Sequence, residues 1–124
     1  MNPTRRLPLL LVALAVGCGG PKHSKADVER GQRALTAALD AWKSNEPPDR
    51  LKALPDPVEY ADELRLTHKL LDYTVGKPNA ADPEVVRYPV KLRLQDRKGK
   101  AQDRDVVFEV KLKTPILVAR DPYE

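Results

Sequence analysis

The chain of 124 residues holds one cysteine, two histidines, one tryptophan and one phenylalanine. A single Cys excludes an intramolecular disulfide framework. One Cys and two His cannot assemble the usual four-ligand zinc site. No Gly-rich phosphate loop is present, and nothing in the pattern calls for a cofactor. No apolar run approaches the roughly 20 residues that a membrane-crossing helix needs. The length sets a ceiling of one domain. Charge of one sign is also scarce: 22 Lys and Arg face 18 Asp and Glu, a net +4. That is too even for the electrostatic footprint of a nucleic-acid binder, so no nucleic-acid partner is expected.

The first 17 residues read as a signal peptide. Arg5 and Arg6 supply a positive start, and Leu7 to Val16 is a ten-residue apolar run interrupted only by Pro8. Small residues follow, as a signal peptidase requires. A twin-Arg signal is disfavoured because Pro8 stands where that motif wants an apolar side chain. The sole cysteine, Cys18, sits at the expected cleavage point. Ala15-Val16-Gly17-Cys18 resembles the lipobox of bacterial lipoproteins, with Ala15 where Leu is commonest. The resemblance implies diacylglycerol on the Cys18 sulfur, cleavage before Cys18, and a partnership with a lipid bilayer on the exported side of the cell envelope. The alternative is an ordinary secretory signal with a chance Cys, but a free thiol in an oxidising compartment is a liability. Removal of Arg5 and Arg6 would lower the net charge to +2. Residues 18–24 then form a short tether, with His23 solvated. Its five residues after Cys18 reach at most about 17 Å when extended.

Residues 25–124 read as one α+β domain. Ser24-Lys25-Ala26-Asp27 has capping-box spacing. Val28, Leu35, Ala38, Leu39 and Trp42 share one helical face, which predicts a long N-terminal helix over about 25–44, ended by Pro47 and Pro48. Gly31 lies on the same stripe and marks close packing on a sheet. A helical turn is expected near 48–54, a short strand at Val58–Tyr60 and a short helix at 61–67. Lys69 to Val75 reads as a strand with Leu71, Tyr73 and Val75 on one face. Residues 76–83 form a loop.

Val86, Tyr88, Val90, Leu92 and Leu94 alternate strictly, and so do Val106, Phe108, Val110 and Leu112. Asp96 to Lys100 between them suits a three-residue hairpin loop with Gly99 in the left-handed position. If residue 96 faces 100, Val90 meets Val106, Tyr88 meets Phe108 and Val86 meets Val110. The same register sets Arg87 against Glu109, Lys91 against Asp105 and Arg93 against Asp103. Such cross-strand pairs contribute about 0.2–1 kcal/mol each. Ile116 to Ala119 forms the last strand, after a turn at Thr114-Pro115.

The expected architecture is a long helix packed on a curved antiparallel sheet of three to four strands. Ala34 to Trp42 is similar to the first helix of nuclear-transport-factor-2-like domains within the cystatin-like folds. Leu70 to Val75 is similar to the strand that follows their helical part. That resemblance implies a cone between helix and sheet, which some members use for catalysis and many others do not.

Three functions are therefore open. The first is a non-catalytic envelope lipoprotein whose domain binds or assembles with another envelope protein. The second is a small-molecule binder or acid–base enzyme, its pocket drawn from Trp42, Tyr60, His68, Asp72 and Tyr73, although no known catalytic set maps onto these residues. The third is a contact with an anionic envelope polymer or surface through Arg97, Lys98 and Lys100. Residues 85–113 carry nine basic against four acidic side chains, yet cross-strand pairing consumes three of the nine. Trp42, Tyr60 and Tyr73 also have a plain reading as core residues, and Asp72 as a solvent-facing one.

Overall fold

A computed structural model describes residues 23–121. The signal segment and Cys18 lie outside the described residues. The first described element is α1 (Lys25–Lys43). Its capping box is formed: the Asp27 amide donates to Ser24 Oγ at 3.0 Å, and the Ser24 amide to Asp27 Oδ2 at 3.2 Å. The other end closes through Asn45, whose φ of +55° suits one of the few non-glycine residues at home in the left-handed region. The Glu46 amide then reaches back to the Ala41 carbonyl at 2.8 Å.

The remaining elements are α2 (Asp49–Lys52), β1 (Val58–Ala61), α3 (Leu64–Thr67), β2 (Lys69–Val75), β3 (Val85–Gln95), β4 (Ala101–Lys111) and β5 (Ile116–Arg120). The strands make one curled sheet in the order β1-β5-β4-β3-β2. The α+β expectation therefore holds, but the sheet has five strands and is mixed rather than antiparallel with three or four. The difference comes from Val58–Ala61. Val58 and Tyr60 turn inward beside β5, pairing in parallel with Ile116 and Val118. The cap on this arrangement is the Ile116 amide, which donates to the Pro57 carbonyl at 2.8 Å. A purely antiparallel cystatin-like sheet is thereby excluded.

The short helix starts at Leu64, not at residue 61. Ala61 completes β1, and Asp62 Oδ1 accepts from the Leu64 amide at 3.0 Å, an Asx-type turn that delays the helix. Strand β2 also departs from the expected face. A bulge falls between Leu70 and Asp72 opposite Leu94 and Arg93. One extra residue flips the alternation. Leu70 enters the core, Leu71 is the extra residue and is exposed, and Tyr73 and Val75 face inward again, half-buried.

The β3–β4 hairpin takes the expected register throughout, from Val86 opposite Val110 to Gln95 opposite Ala101. Its turn is held by Asp96 Oδ1, which accepts from the amides of Lys98 and Lys100 at 2.9 Å each, with Gly99 at φ +86°. On the outer face Arg87 pairs with Glu109 at 2.9 Å and Arg93 with Asp103 at 3.0 Å.

The core lies between α1 and the inner sheet face. Leu35, Leu39, Val86, Tyr88, Leu92, Phe108 and Val110 are fully buried there. Gly31 is where the helix comes closest: a Cβ on it would lie 2.5 Å from Tyr88 Oη. That hydroxyl cannot swing aside freely, because Tyr88 is buried and donates to the Val28 carbonyl at 2.6 Å. Gly31→Ala should therefore destabilise the fold by about 1–3 kcal/mol through overpacking, although Ala is the better helix former by about 1 kcal/mol. Urea unfolding of the two proteins checks the sign, and a stabilised variant would contradict the close approach.

Candidate functional site

The interior between α1 and the sheet is packed with side chains. Tyr60 lies against Phe108, ring centroids 6.2 Å apart, and Leu39 and Leu92 are fully buried in the same core. The candidate pocket residues do not converge there. Tyr60 is on β1 and Tyr73 on β2, the two opposite edges of the sheet. Asp72 is exposed, with Lys43 Nζ 3.5 Å away. The His68 ring shares a 2.7 Å hydrogen bond with Thr67 Oγ1. The Trp42 indole is buried and donates to the His68 carbonyl at 3.1 Å.

The three tyrosines among the described residues are held neutral. Burial pushes the Tyr73 hydroxyl up to about 12, and its 2.7 Å bond to Asp40 Oδ1 adds to the effect because a carboxylate acceptor favours the retained proton. Burial alone pushes Tyr88 up to about 12. Tyr60 is raised further, by burial first and then by the charge of Asp62. These hydroxyls therefore act as hydrogen-bond donors and not as bases at neutral pH.

One polar cluster was not legible beforehand. The Asp62 side chain is 0% exposed, and Arg120 beside it is 17% exposed. Asp62 Oδ1 accepts from Arg120 Nε at 3.1 Å and from the Leu64 amide at 3.0 Å, while Tyr60 donates to Oδ2 at 3.3 Å. The cluster joins the end of β1, the start of α3 and the end of β5. Next to it the Arg65 guanidinium sits 5.5 Å from the centre of the Tyr60 ring and donates through Nη2 to the Glu46 carbonyl at 2.8 Å. No sequence signal joins residues 62 and 120; the pair exists because β1 and β5 lie side by side.

A groove of about 620 Å³ opens at one end of the domain. Its walls are the last turn of α1 (Trp42 to Asn45), the segment from Arg65 to Leu71, and the hairpin turn from Gln95 to Gly99. Here Trp42 and His68 do meet, together with Arg97, whose Nη2 donates to the Leu66 carbonyl at 3.3 Å. Four cations line the groove, Lys43, Arg65, Lys69 and Arg97, against one acid, Asp96, which is occupied by the turn amides. Lys98 and Lys100 are exposed on the same turn.

The opposite end holds His23. Its side chain is only 10% exposed, and Nε2 lies 2.9 Å from the Asp82 carbonyl. The tether expectation is corrected at this residue: His23 packs against the loop before β3 instead of standing in solvent. The 19 residues of α1 separate the two ends, about 27 Å at 1.5 Å per residue. Arg97, Lys98 and Lys100 thus lie at the end of the domain opposite His23.

Among the described residues, no group of three or more His, Cys, Asp or Glu side chains could hold a metal ion, and no helix is long and apolar enough to cross a membrane. Comparison with protein-family models, with curated proteins and with solved structures finds no match to this chain.

Two outcomes follow from the polar groups. Asp62→Ala leaves Arg120 without its buried partner and should cost about 3 kcal/mol in urea unfolding. Replacing both residues by Leu should recover only the share due to the stranded Arg120, because the Leu64 amide and the Tyr60 hydroxyl still lose their acceptor. The tyrosines fix the alkaline limit. An ordinary tyrosine titrates near 10, so the unfolded chain releases these protons first. Stability from Tyr73 and Tyr88 is therefore complete below about pH 10 and lost as pH rises towards about 12. Tyrosinate absorbance should appear together with unfolding; titration of all four tyrosines near pH 10 in a folded protein would contradict the burial described.

Proposed function

We propose that this chain is a membrane-anchored envelope lipoprotein whose small domain is a non-catalytic binding or assembly module. The observation that carries the reading is Ala15-Val16-Gly17-Cys18 placed directly after a short apolar run that follows Arg5 and Arg6. Acyl chains on Cys18, at about 0.8 kcal/mol per buried CH₂, would hold the chain stably on a bilayer. Burial of Leu35, Leu39 and Phe108 beneath α1, with the groove on the outside, supports a role for the outer surface.

The reading places the domain on the exported side of a membrane, within about 17 Å of the lipid at its His23 end. The test is intact mass and membrane fractionation of the full chain expressed in a bacterium. Wild type should lack residues 1–17, carry lipid mass and sediment with membranes. Cys18→Ser should carry no lipid and leave the membrane fraction. A wild-type chain with a free Cys18 thiol would overturn the proposal.

A further inference from the structure

We infer that the groove at the far end of the domain binds an acidic segment of a partner protein that also presents apolar side chains. The inference deepens the binding-module reading and uses it only for orientation.

Charge is the first argument. Of the four lining cations, Lys43 has only an exposed 3.5 Å pair with Asp72, of the kind that contributes little. Arg65 and Arg97 each donate to a backbone carbonyl, Glu46 and Leu66 respectively, and neither has an acidic partner among the described residues. Lys69 has none there either. The fold thus leaves cationic hydrogen-bonding capacity unused on one concave surface, where carboxylates would be complementary.

The apolar contribution separates a peptide from a simple anion. Leu66 is 77% exposed and Leu71 37% exposed, and both line the groove. Neither would contribute to holding inorganic phosphate or a sugar acid. Both match side chains that alternate with acids along an extended segment. Strand β2, which carries Lys69 to Leu71, is the terminal strand of the sheet, so one row of its backbone groups is not used in sheet pairing, the feature to which extended chains add. A bilayer is the wrong occupant for this site. The groove lies about 27 Å from the His23 end, beyond two Debye lengths at physiological salt.

Trp42 is the only tryptophan and lines the groove, so its emission reports binding directly. The full chain in neutral detergent is titrated with an octapeptide of alternating Glu and Leu, with its Lys and Leu counterpart, with inorganic phosphate and with polygalacturonate. The Glu–Leu peptide should give a saturable change that weakens with salt, and the Lys–Leu peptide none. Lys69→Glu and Arg97→Glu change exposed side chains and should each weaken binding at least tenfold, with circular dichroism unchanged. Lys111→Glu, on the outer sheet face, should leave it as it is. Leu66→Ser should weaken the peptide severalfold. No saturable response, or equal binding by the Lys69→Glu and Arg97→Glu proteins, overturns the inference. Equal affinity for phosphate or polygalacturonate overturns it in favour of a general anion site. The anchor is read by mass and fractionation and the groove by emission, so either proposal can fail while the other stands.

Discussion

The fold depends on a helix pinned to its sheet at both ends by an aromatic donor. Near the start of α1 the Tyr88 hydroxyl donates to the Val28 carbonyl at 2.6 Å, across the gap that Gly31 leaves. Near its end the Trp42 indole donates to the His68 carbonyl at 3.1 Å. A buried polar tip must find a partner, so each aromatic delivers its apolar area to the core only if the helix sits in one place. Leu35, Ala38 and Leu39 between the two pins are then fully buried in the core against the sheet. The same clamp separates the domain into two ends. One receives the chain at His23, and the other opens as the groove beside Trp42.

Much of this was legible in the sequence, and the parts that were not share a cause. The capping box at Ser24, the apolar stripe to Trp42 and the proline stop are local features. The hairpin register is local too: one turn at Asp96–Gly99 forces every pair from Arg87–Glu109 to Arg93–Asp103. What escaped depends on contacts between distant segments. Val58–Tyr60 was recognisable as a strand, but nothing in three residues says that it lies parallel to β5. The Asp62–Arg120 pair spans 58 positions and follows from that placement. The bulge at Leu71 hid in a run, Leu70-Leu71, whose two members look alike until one is forced outward. His23 looked like tether because its partner, the Asp82 carbonyl, is a backbone group in a loop 59 residues away.

The candidate site was legible only as an unassembled set. Trp42, His68 and Arg97 do come together, but outside the core and with Arg65 and Lys69, which composition did not single out. Tyr60 went instead to structural work around Asp62, and Asp72 and Tyr73 to contacts with the last turns of α1. The common thread is that polar side chains on the inner elements are used to hold the fold, whereas those left over gather at one end. The groove lies on the outer surface, apart from the buried Leu35, Leu39 and Phe108. The asymmetry between the His23 end and the groove then gives that surface a direction, away from the proposed anchor.

The account rests on the helix–sheet space being filled, and xenon tests that most directly. Xenon enters dry apolar cavities and little else. Crystals or solutions of the protein under xenon pressure should show no xenon beneath Leu39 and Trp42, and any signal should lie at the surface. A xenon atom held between α1 and Phe108 would reveal an interior pocket and contradict the claim that this domain works from its outer face.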